Sequence, residues 1–341
     1  MTQATLLAEY QFQLRKDLSL SKSLPDWLAP LIQSVGASDY ISYLARNSRS
    51  FRFATRFLPE GEALKIAEVY AFCRFTDDLV DSGDQHHHET LQNRLLEWTE
   101  LARRAHAGHK TGIPLLDQPM GRMGNRGISF KYVESLIEGM QMDLDHRPYR
   151  SLPELKRYTY RVAGVIGQWL TELVGVRNAW AFERAADLGH AMQITNIIRD
   201  VGEDWQRGRC YLPMDMLEKH HLSLSDLDQI LGGSVNPPRN YIAMMEELMD
   251  EAEAHYRLAL QGVPSLPDFF QKPVLVAALV YRSIHAALRS NHYDNFRKRA
   301  QSSAFKKFRI GLHALWMLPI LKFLFSPLRN KSLNHGLGYG L

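Results

Sequence analysis

Proline is absent from four long windows of this chain: Pro59 to Pro114, Pro153 to Pro213, Pro238 to Pro264 and Pro273 to Pro319. Each window is long enough for one or more helices, and each reads at helical period. Glu62, Ala63, Ile66, Ala67, Tyr70 and Arg74, for example, are related by i, i+3 and i, i+4 spacings. Runs that alternate at period two are scarce. Ser151-Leu152-Pro153-Glu154 is a capping-box pattern with proline in the first turn, so the spacing predicts a helix start there. Gly232-Gly233 with Pro237-Pro238, and the glycine-bearing stretch Pro114 to Gly127, read as loops. No internal repeat and no clear domain linker is present. The expectation is one all-α domain over residues 36–309, an N-terminal extension over 1–35, and an apolar, basic tail over 310–341.

Two segments put acidic side chains on one face of a helix. Tyr70, Arg74, Asp77 and Asp81 step by four, three and four. Carboxylates one turn apart repel, by a few tenths of a kcal/mol on an isolated helix, so a cation is expected beside them. Gln193, Asn196, Asp200 and Asp204 step by three, four and four, and the other faces of that helix carry Ile194, Ile197, Ile198 and Val201. A polar stripe on an otherwise apolar helix should face a wet interior. Taken singly, each stripe also reads as a solvated acidic face. Together they suggest two facing helices that hold hard cations through oxygen. Mg²⁺ suits such a site, because it takes one or two carboxylates and completes its shell with water and phosphate oxygens. Arg74, Arg199, Arg207 and Arg209 lie within or just beyond the stripes, and arginine grips phosphate bidentately. Carboxylates, magnesium and arginines describe a diphosphate site.

Tyr160-Arg-Val-Ala-Gly164-Val-Ile-Gly167 places two glycines three apart in a helical context, at a cost of about 1 kcal/mol each. A kink beside an apolar ligand and close helix–helix packing explain that spacing equally well.

The ordered set Ser48-Arg49-Ser50-Phe51 followed by ATRFLP, CRFTDDLVD, YRVAGVIG, QITNIIRDVGED, RGRCYLP and YRSIHAALRSNHYDNFRKRA resembles the squalene/phytoene synthase family, from about Tyr43 to Phe308. Arg49 stands where the family often has Lys. The resemblance implies an isoprenoid (terpenoid) synthase fold with helices around a central cavity. It implies head-to-head condensation of two prenyl diphosphates through a cyclopropyl diphosphate. By motif, Asp77, Asp81, Asn196, Asp200 and Asp204 correspond to Mg²⁺ ligands, with Mn²⁺ as a substitute. Tyr70, Arg74, Gln193, Arg199, Arg209 and Ser48 to Phe51 correspond to substrate contacts, and Tyr160 and Tyr281 to cavity residues. YDNFRKRA and the YLP segment look most like bacterial phytoene synthases, which join two geranylgeranyl diphosphates. Joining two farnesyl diphosphates, to presqualene diphosphate, squalene or dehydrosqualene, is the alternative within the family. A non-catalytic scaffold is the alternative outside catalysis, against which the four motif aspartates argue. Neither a GxGxxG after a strand nor a P-loop is present, which fits a product formed by proton loss without NADPH. Squalene synthases of the family share that absence.

Composition and charge set the remaining bounds. Hydrophobic residues make up 45% and charged residues 23%, as in a globular protein with a sizeable core. With 41 Lys and Arg against 37 Asp and Glu, nothing points to nucleic acid. Cys73 and Cys210 form no disulfide framework and read as structural thiols in a reducing cytoplasm. His86-His87-His88 reads as a surface loop. Nine Lys and Arg and no acid lie between Asn295 and Leu341. Within that tail, Ile310 to Phe325 is apolar, and Pro319 is expected to break it. At 1.5 Å per residue it would reach about 24 Å, short of a roughly 30 Å hydrocarbon core. Two readings of the tail stand: a peripheral position on an anionic membrane surface, and packing of Trp316, Met317 and Leu321 onto the domain.

Overall fold

The computed structural model describes residues 25, 27–28, 40–81, 88–232, 237–297, 300 and 304–331, with backbone alone for Arg49, Asp81, Leu231, 304–308 and 326–331. The helices in chain order are α1 (Tyr40–Asn47), α2 (Arg49–Thr55), α3 (Glu60–Asp81), α4 (His88–His106), α5 (Pro114–Asn125), α6 (Lys131–Leu144) and α7 (Leu152–Thr159). A π-helical segment, Tyr160–Gly164, leads into α8 (Val165–Leu173), α9 (Ala179–Gln206), α10 (Met214–Lys219) and α11 (Leu224–Leu231). Then follow α12 (Arg239–Gly262), a 3₁₀ turn (Val263–Ser265), α13 (Asp268–Ser290) and α14 (Ala304–Lys331). Among the described residues there is no strand, as the proline-free windows and scarce alternation predict. The chain clusters into two compact units, one of residues 1–48 with 60–144, the other of 49–59 with 145–341.

In the first unit α3 packs against α1, α4, α5 and α6. Trp98 of α4 is fully buried; it stacks on Phe72 at 5.7 Å and donates its indole N–H to Thr76 Oγ1 at 2.9 Å. Glu68, 2% exposed, accepts from Arg122 Nε and Nη2 at 2.9–3.1 Å. Burial raises the Glu68 carboxyl pKa, and the arginine offsets that.

The stretch from Pro114 is not the loop that its glycines and prolines suggested. It is α5, with Pro114 opening the first turn, where its missing N–H costs nothing. Leu115, Leu116, Met120 and Met123 are buried at helical spacing. Gly124 is required by packing rather than by a turn: a Cβ there would sit 2.1 Å from the His106 carbonyl oxygen.

The second unit is built on α9, 28 residues long, which packs along α12, α8, the π segment and α13. Its start is capped by Asn178, whose Oδ1 accepts from the Ala181 N–H at 3.2 Å. The helix predicted after Ser151 is α7, but the capping box is incomplete. Glu154 turns back to accept from the Arg150 N–H at 2.7 Å, and the Ser151 hydroxyl does not cap. Of the two explanations for the glycine pair, close helix packing is what Gly167 serves. Its Cβ would lie 2.4 Å from the Ala185 carbonyl oxygen of α9. Gly189 on α9 answers from the other side, 2.5 Å from the Ala163 carbonyl carbon. Gly164 differs: a Cβ there would meet the Tyr160 ring at 2.9 Å.

A second close approach lies near the other end of α9. A Cβ on Gly202 would fall 2.5 Å from the Phe296 Cα, and the Gly202 N–H donates to the Asn295 carbonyl. Asn295 is buried; its Nδ2 donates to the Ile198 carbonyl at 2.6 Å, and its Oδ1 accepts from Tyr241 at 2.9 Å. The preceding His292 and Tyr293 both have left-handed backbone, φ 58° and 60°, uncommon outside glycine. Tyr293 is held there by its hydroxyl, which donates to Glu246, itself paired with Arg289.

Helix α14 runs through Pro319 without a break, contrary to expectation. A proline removes one backbone hydrogen bond and crowds one carbonyl, and this helix absorbs both where the residue is exposed. Trp316 does not pack onto the unit, being 78% exposed, whereas Leu321 does.

Gly189→Ala should lower stability by about 1–3 kcal/mol through overpacking. Gly121→Ala on α5, where a Cβ meets nothing within 4 Å, should be neutral or stabilising by up to about 1 kcal/mol. Asn295→Ala should cost about 1–3 kcal/mol, since it leaves the Tyr241 hydroxyl and the Ile198 carbonyl without that partner. Urea unfolding of the three variants beside the parent reads all of these.

Candidate active site

On α3 the predicted cation beside the carboxylates is Arg74. Its Nη1 donates to Asp77 Oδ2 at 3.0 Å and its Nη2 lies 2.5 Å from Asp78 Oδ1. Tyr43 of α1 donates to the other Asp78 oxygen at 3.2 Å. Burial, and then the charge of Asp78, push the Tyr43 phenol pKa upward, so it remains a donor. Asp78 therefore belongs with this cluster, although spacing set it off the stripe. Tyr70 is half-buried one turn before Arg74. Asp81 is the last residue of α3, and its side chain lies outside the described residues.

On α9 the apolar residues behave as their spacing predicts: Ile194, Ile197, Ile198 and Val201 are buried. That leaves the polar stripe on the remaining, half-buried face. Asn196 Nδ2 donates to Gln193 Oε1 at 3.1 Å. Arg199 binds Asp200 with both arms of its guanidinium, Nε to Oδ1 at 2.8 Å and Nη2 to Oδ2. Burial opposes the charge on Arg199, but the hydrogen bond and charge of Asp200 outweigh it.

Asp204 sits one turn beyond. Gly208, at φ +73°, ends the helix, and the Arg209 N–H closes on the Asp204 carbonyl at 2.9 Å. Burial, with the charges of Asp200 and Glu203, pushes the Asp204 carboxyl pKa up to about 8, and Arg209 and Arg207 only partly oppose this. The helix C-terminus also disfavours an anion there. This end of α9 is thus electrostatically short of positive charge.

A divalent cation fits that deficit. Asn196 Oδ1 is buried with no hydrogen-bond donor among the described residues. A neutral oxygen acceptor one turn before the carboxylate of Asp200 suits a hard cation. Among the described residues no group of three or more His, Cys, Asp and Glu side chains converges on one point.

The remaining candidates are placed as follows. Tyr160 opens the π segment and donates its hydroxyl to Gln168 Oε1 at 3.0 Å; such segments recur at functional sites. Tyr281 of α13 is buried against Phe51 of α2, ring centroids 5.7 Å apart. Ser50 is half-buried on α2, Ser48 precedes that helix, and the Arg49 side chain is outside the described residues. Arg207 is exposed and pairs with Glu203 at 3.0 Å. Burial pushes the thiol pKa of both Cys73 and Cys210 upward, which suits inert structural thiols. His86 and His87 fall outside the described residues, and His88 begins α4.

Motif spacing missed the polar support behind α9. Thr195 is fully buried and contacts Tyr256 OH at 3.1 Å and His285 Nε2 at 3.0 Å, while His285 Nδ1 faces Glu253 at 3.2 Å. These partners lie 61 and 90 residues from Thr195. The one available signal was a threonine inside an otherwise apolar helix face.

The squalene/phytoene synthase family model matches residues 44–306. The chain is 32% identical over 306 residues to the phytoene synthase of Arthrospira platensis, a match covering 85% of this chain and 95% of that protein. It is 36% identical over 287 residues to the phytoene synthase of Thermus thermophilus, covering 83% and 90%. Among solved structures it superposes on a dehydrosqualene synthase with a TM-score of 0.75 at 27% identity, over 85% of this chain and 98% of that one. A squalene synthase from Alicyclobacillus acidocaldarius shares the fold, with a TM-score of 0.67 at 21% identity over 79% and 97%. With its helices, its acidic stripes and these relatives in agreement, the chain is a member of the squalene/phytoene synthase family and has the isoprenoid-synthase fold.

Proposed function

We propose that this protein is a prenyltransferase that joins two geranylgeranyl diphosphates head to head, through a cyclopropyl diphosphate, to give phytoene and release diphosphate. The observation that carries this is the 32–36% identity to bacterial phytoene synthases across 90% or more of their length. Joining two farnesyl diphosphates remains the competing outcome for the test below.

Asp77 and Asp81 on α3, and Asn196, Asp200 and Asp204 on α9, are assigned as ligands of Mg²⁺, which Mn²⁺ could replace. Bound there, the metal would neutralise the diphosphate and so favour ionisation to an allylic cation. Support on α9 comes from the partnerless Asn196 oxygen and the excess of negative charge around Asp204. Arg74, Arg199 and Arg209, with Tyr70, Gln193 and Ser48, Arg49, Ser50 and Phe51, are assigned to the substrate diphosphates. Arg74 and Arg199 pair with carboxylates, so diphosphate binding would exchange one anion for another. Tyr160 and Tyr281 present aromatic faces that stabilise a passing cation, each by roughly 0.5–2 kcal/mol. The departing diphosphate is the proton acceptor in this reading, so no protein base is needed. We further place the enzyme in the cytoplasm, peripherally at a membrane surface, because its substrate tail and its product are both oily. Among the described residues no helix is long and apolar enough to cross a membrane.

Asp77→Asn and Asp200→Asn keep size while removing a charge. Each should lower turnover by at least about a hundredfold, the scale of one lost electrostatic contact in a preorganised site; Asp77→Asn should melt near the parent, while Asp200→Asn, which leaves the largely buried Arg199 without its charged partner, should melt lower. Near-normal turnover by either variant would overturn the metal assignment. Purified protein given geranylgeranyl diphosphate should release phytoene with Mg²⁺ and without NADPH. EDTA should stop the reaction, and added Mg²⁺ should restore it. A squalene-type hydrocarbon formed from farnesyl diphosphate only with NADPH would move the assignment to the competing outcome.

A further inference from the structure

We infer that helix α14 is the membrane-docking element, lying flat in an anionic lipid interface with one defined face inserted. The inference deepens the peripheral-membrane reading above and rests on it. Gly311, Ala314 and Leu321 turn one side of α14 onto its own unit. There the position of a Gly311 Cβ lies 3.5 Å from Phe53 and 3.6 Å from Phe57. Lys322 pins the helix to Asp268 at 2.9 Å. This seating sets which side faces outward. Leu312, Trp316, Ile320 and Phe323 succeed one another there in steps of four, four and three, with Leu315 and Leu324 alongside. Trp316 is 78% exposed and Phe323 84%.

Six large apolar side chains of α14, Leu312, Leu315, Trp316, Ile320, Phe323 and Leu324, are exposed to water, with Arg309, His313 and Lys322 on the same helix. A contiguous row of large apolar side chains marks a binding surface, whereas scattered ones do not. Charge selects the occupant. From Asn295 to Leu341 there are nine Lys and Arg and no acid, which suits an anionic surface and disfavours a second copy carrying the same charge. Trp and Phe are also the side chains that favour the water–lipid boundary.

The test is flotation of the full-length protein with phosphatidylcholine vesicles, with or without about a third phosphatidylglycerol, at low and high salt. The comparison is the double variant Trp316→Ser, Phe323→Ser, with sedimentation and melting measured on both proteins. These substitutions fall on exposed positions, so melting should be unchanged. The parent should float with anionic vesicles at low salt and less at high salt. The variant should lose at least about tenfold in bound fraction. No turnover enters these readouts, so they stand apart from the assigned reaction. A variant that floats like the parent overturns the role of α14 and leaves the peripheral reading intact. A parent that fails to float overturns both. If that parent sediments as a dimer that the variant splits, the occupant is a second copy; if both are monomeric, another segment of the chain covers the face.

Discussion

Helix α9 must bring Asp200 and Asp204 into a half-buried setting, where carboxylates repel one another and lose hydration. Much of the second unit can be understood from that constraint. Four branched aliphatic residues, Ile194, Ile197, Ile198 and Val201, anchor the helix by burial. Gly189, one turn before the stripe, and Gly202, between Asp200 and Asp204 in sequence, let neighbouring backbone approach closely. Arg199 neutralises Asp200 through a two-armed contact, but burial and the neighbouring charges of Asp200 and Glu203 push the Asp204 carboxyl pKa up to about 8. The helix is firmly held by its packing while its polar face is left short of positive charge.

The support around this helix is polar as well as apolar. Thr195, Tyr256, His285 and Glu253 connect α9 to α12 and α13 through a buried chain of hydrogen bonds. Asn295 fastens the segment after α13 to the Ile198 carbonyl, beside Gly202. Buried networks of this kind give up hydration and recover it only in one geometry, so they favour a single register of the helix. The segment around Asn295 belongs to the run YDNFRKRA, which pointed to the product class when read as a motif. In the folded chain its asparagine is a clamp, and two left-handed residues aim it.

Polar stripes, apolar faces and the order of the motifs were legible in the sequence because each depends on spacing within one helix. Asp77 with Arg74, and Asp200 with Ile197 and Ile198, sit as their spacing predicts. Errors arose where a residue type has two uses. Pro114, Pro119 and the glycines after them read as a loop, yet they form α5, because burial of Leu115, Leu116, Met120 and Met123 outweighs the local signals. Pro319 read as a break and α14 passes through it. Residue type states a local preference, and tertiary burial overrides it whenever the apolar gain is larger.

The sequence by itself determined the helical class, the positions of both acidic stripes and the family resemblance, since all of these follow from spacing and residue identity along one stretch of chain. The tertiary structure decided what each glycine is for: Gly167 and Gly189 serve the contact between helices, and Gly164 makes room for a ring. It found the partners of Thr195 and Asn295, which lie tens of residues away. It also decided which face of α14 turns outward, because the apolar residues of that helix recur without a preferred side and carry no record of where its neighbours sit.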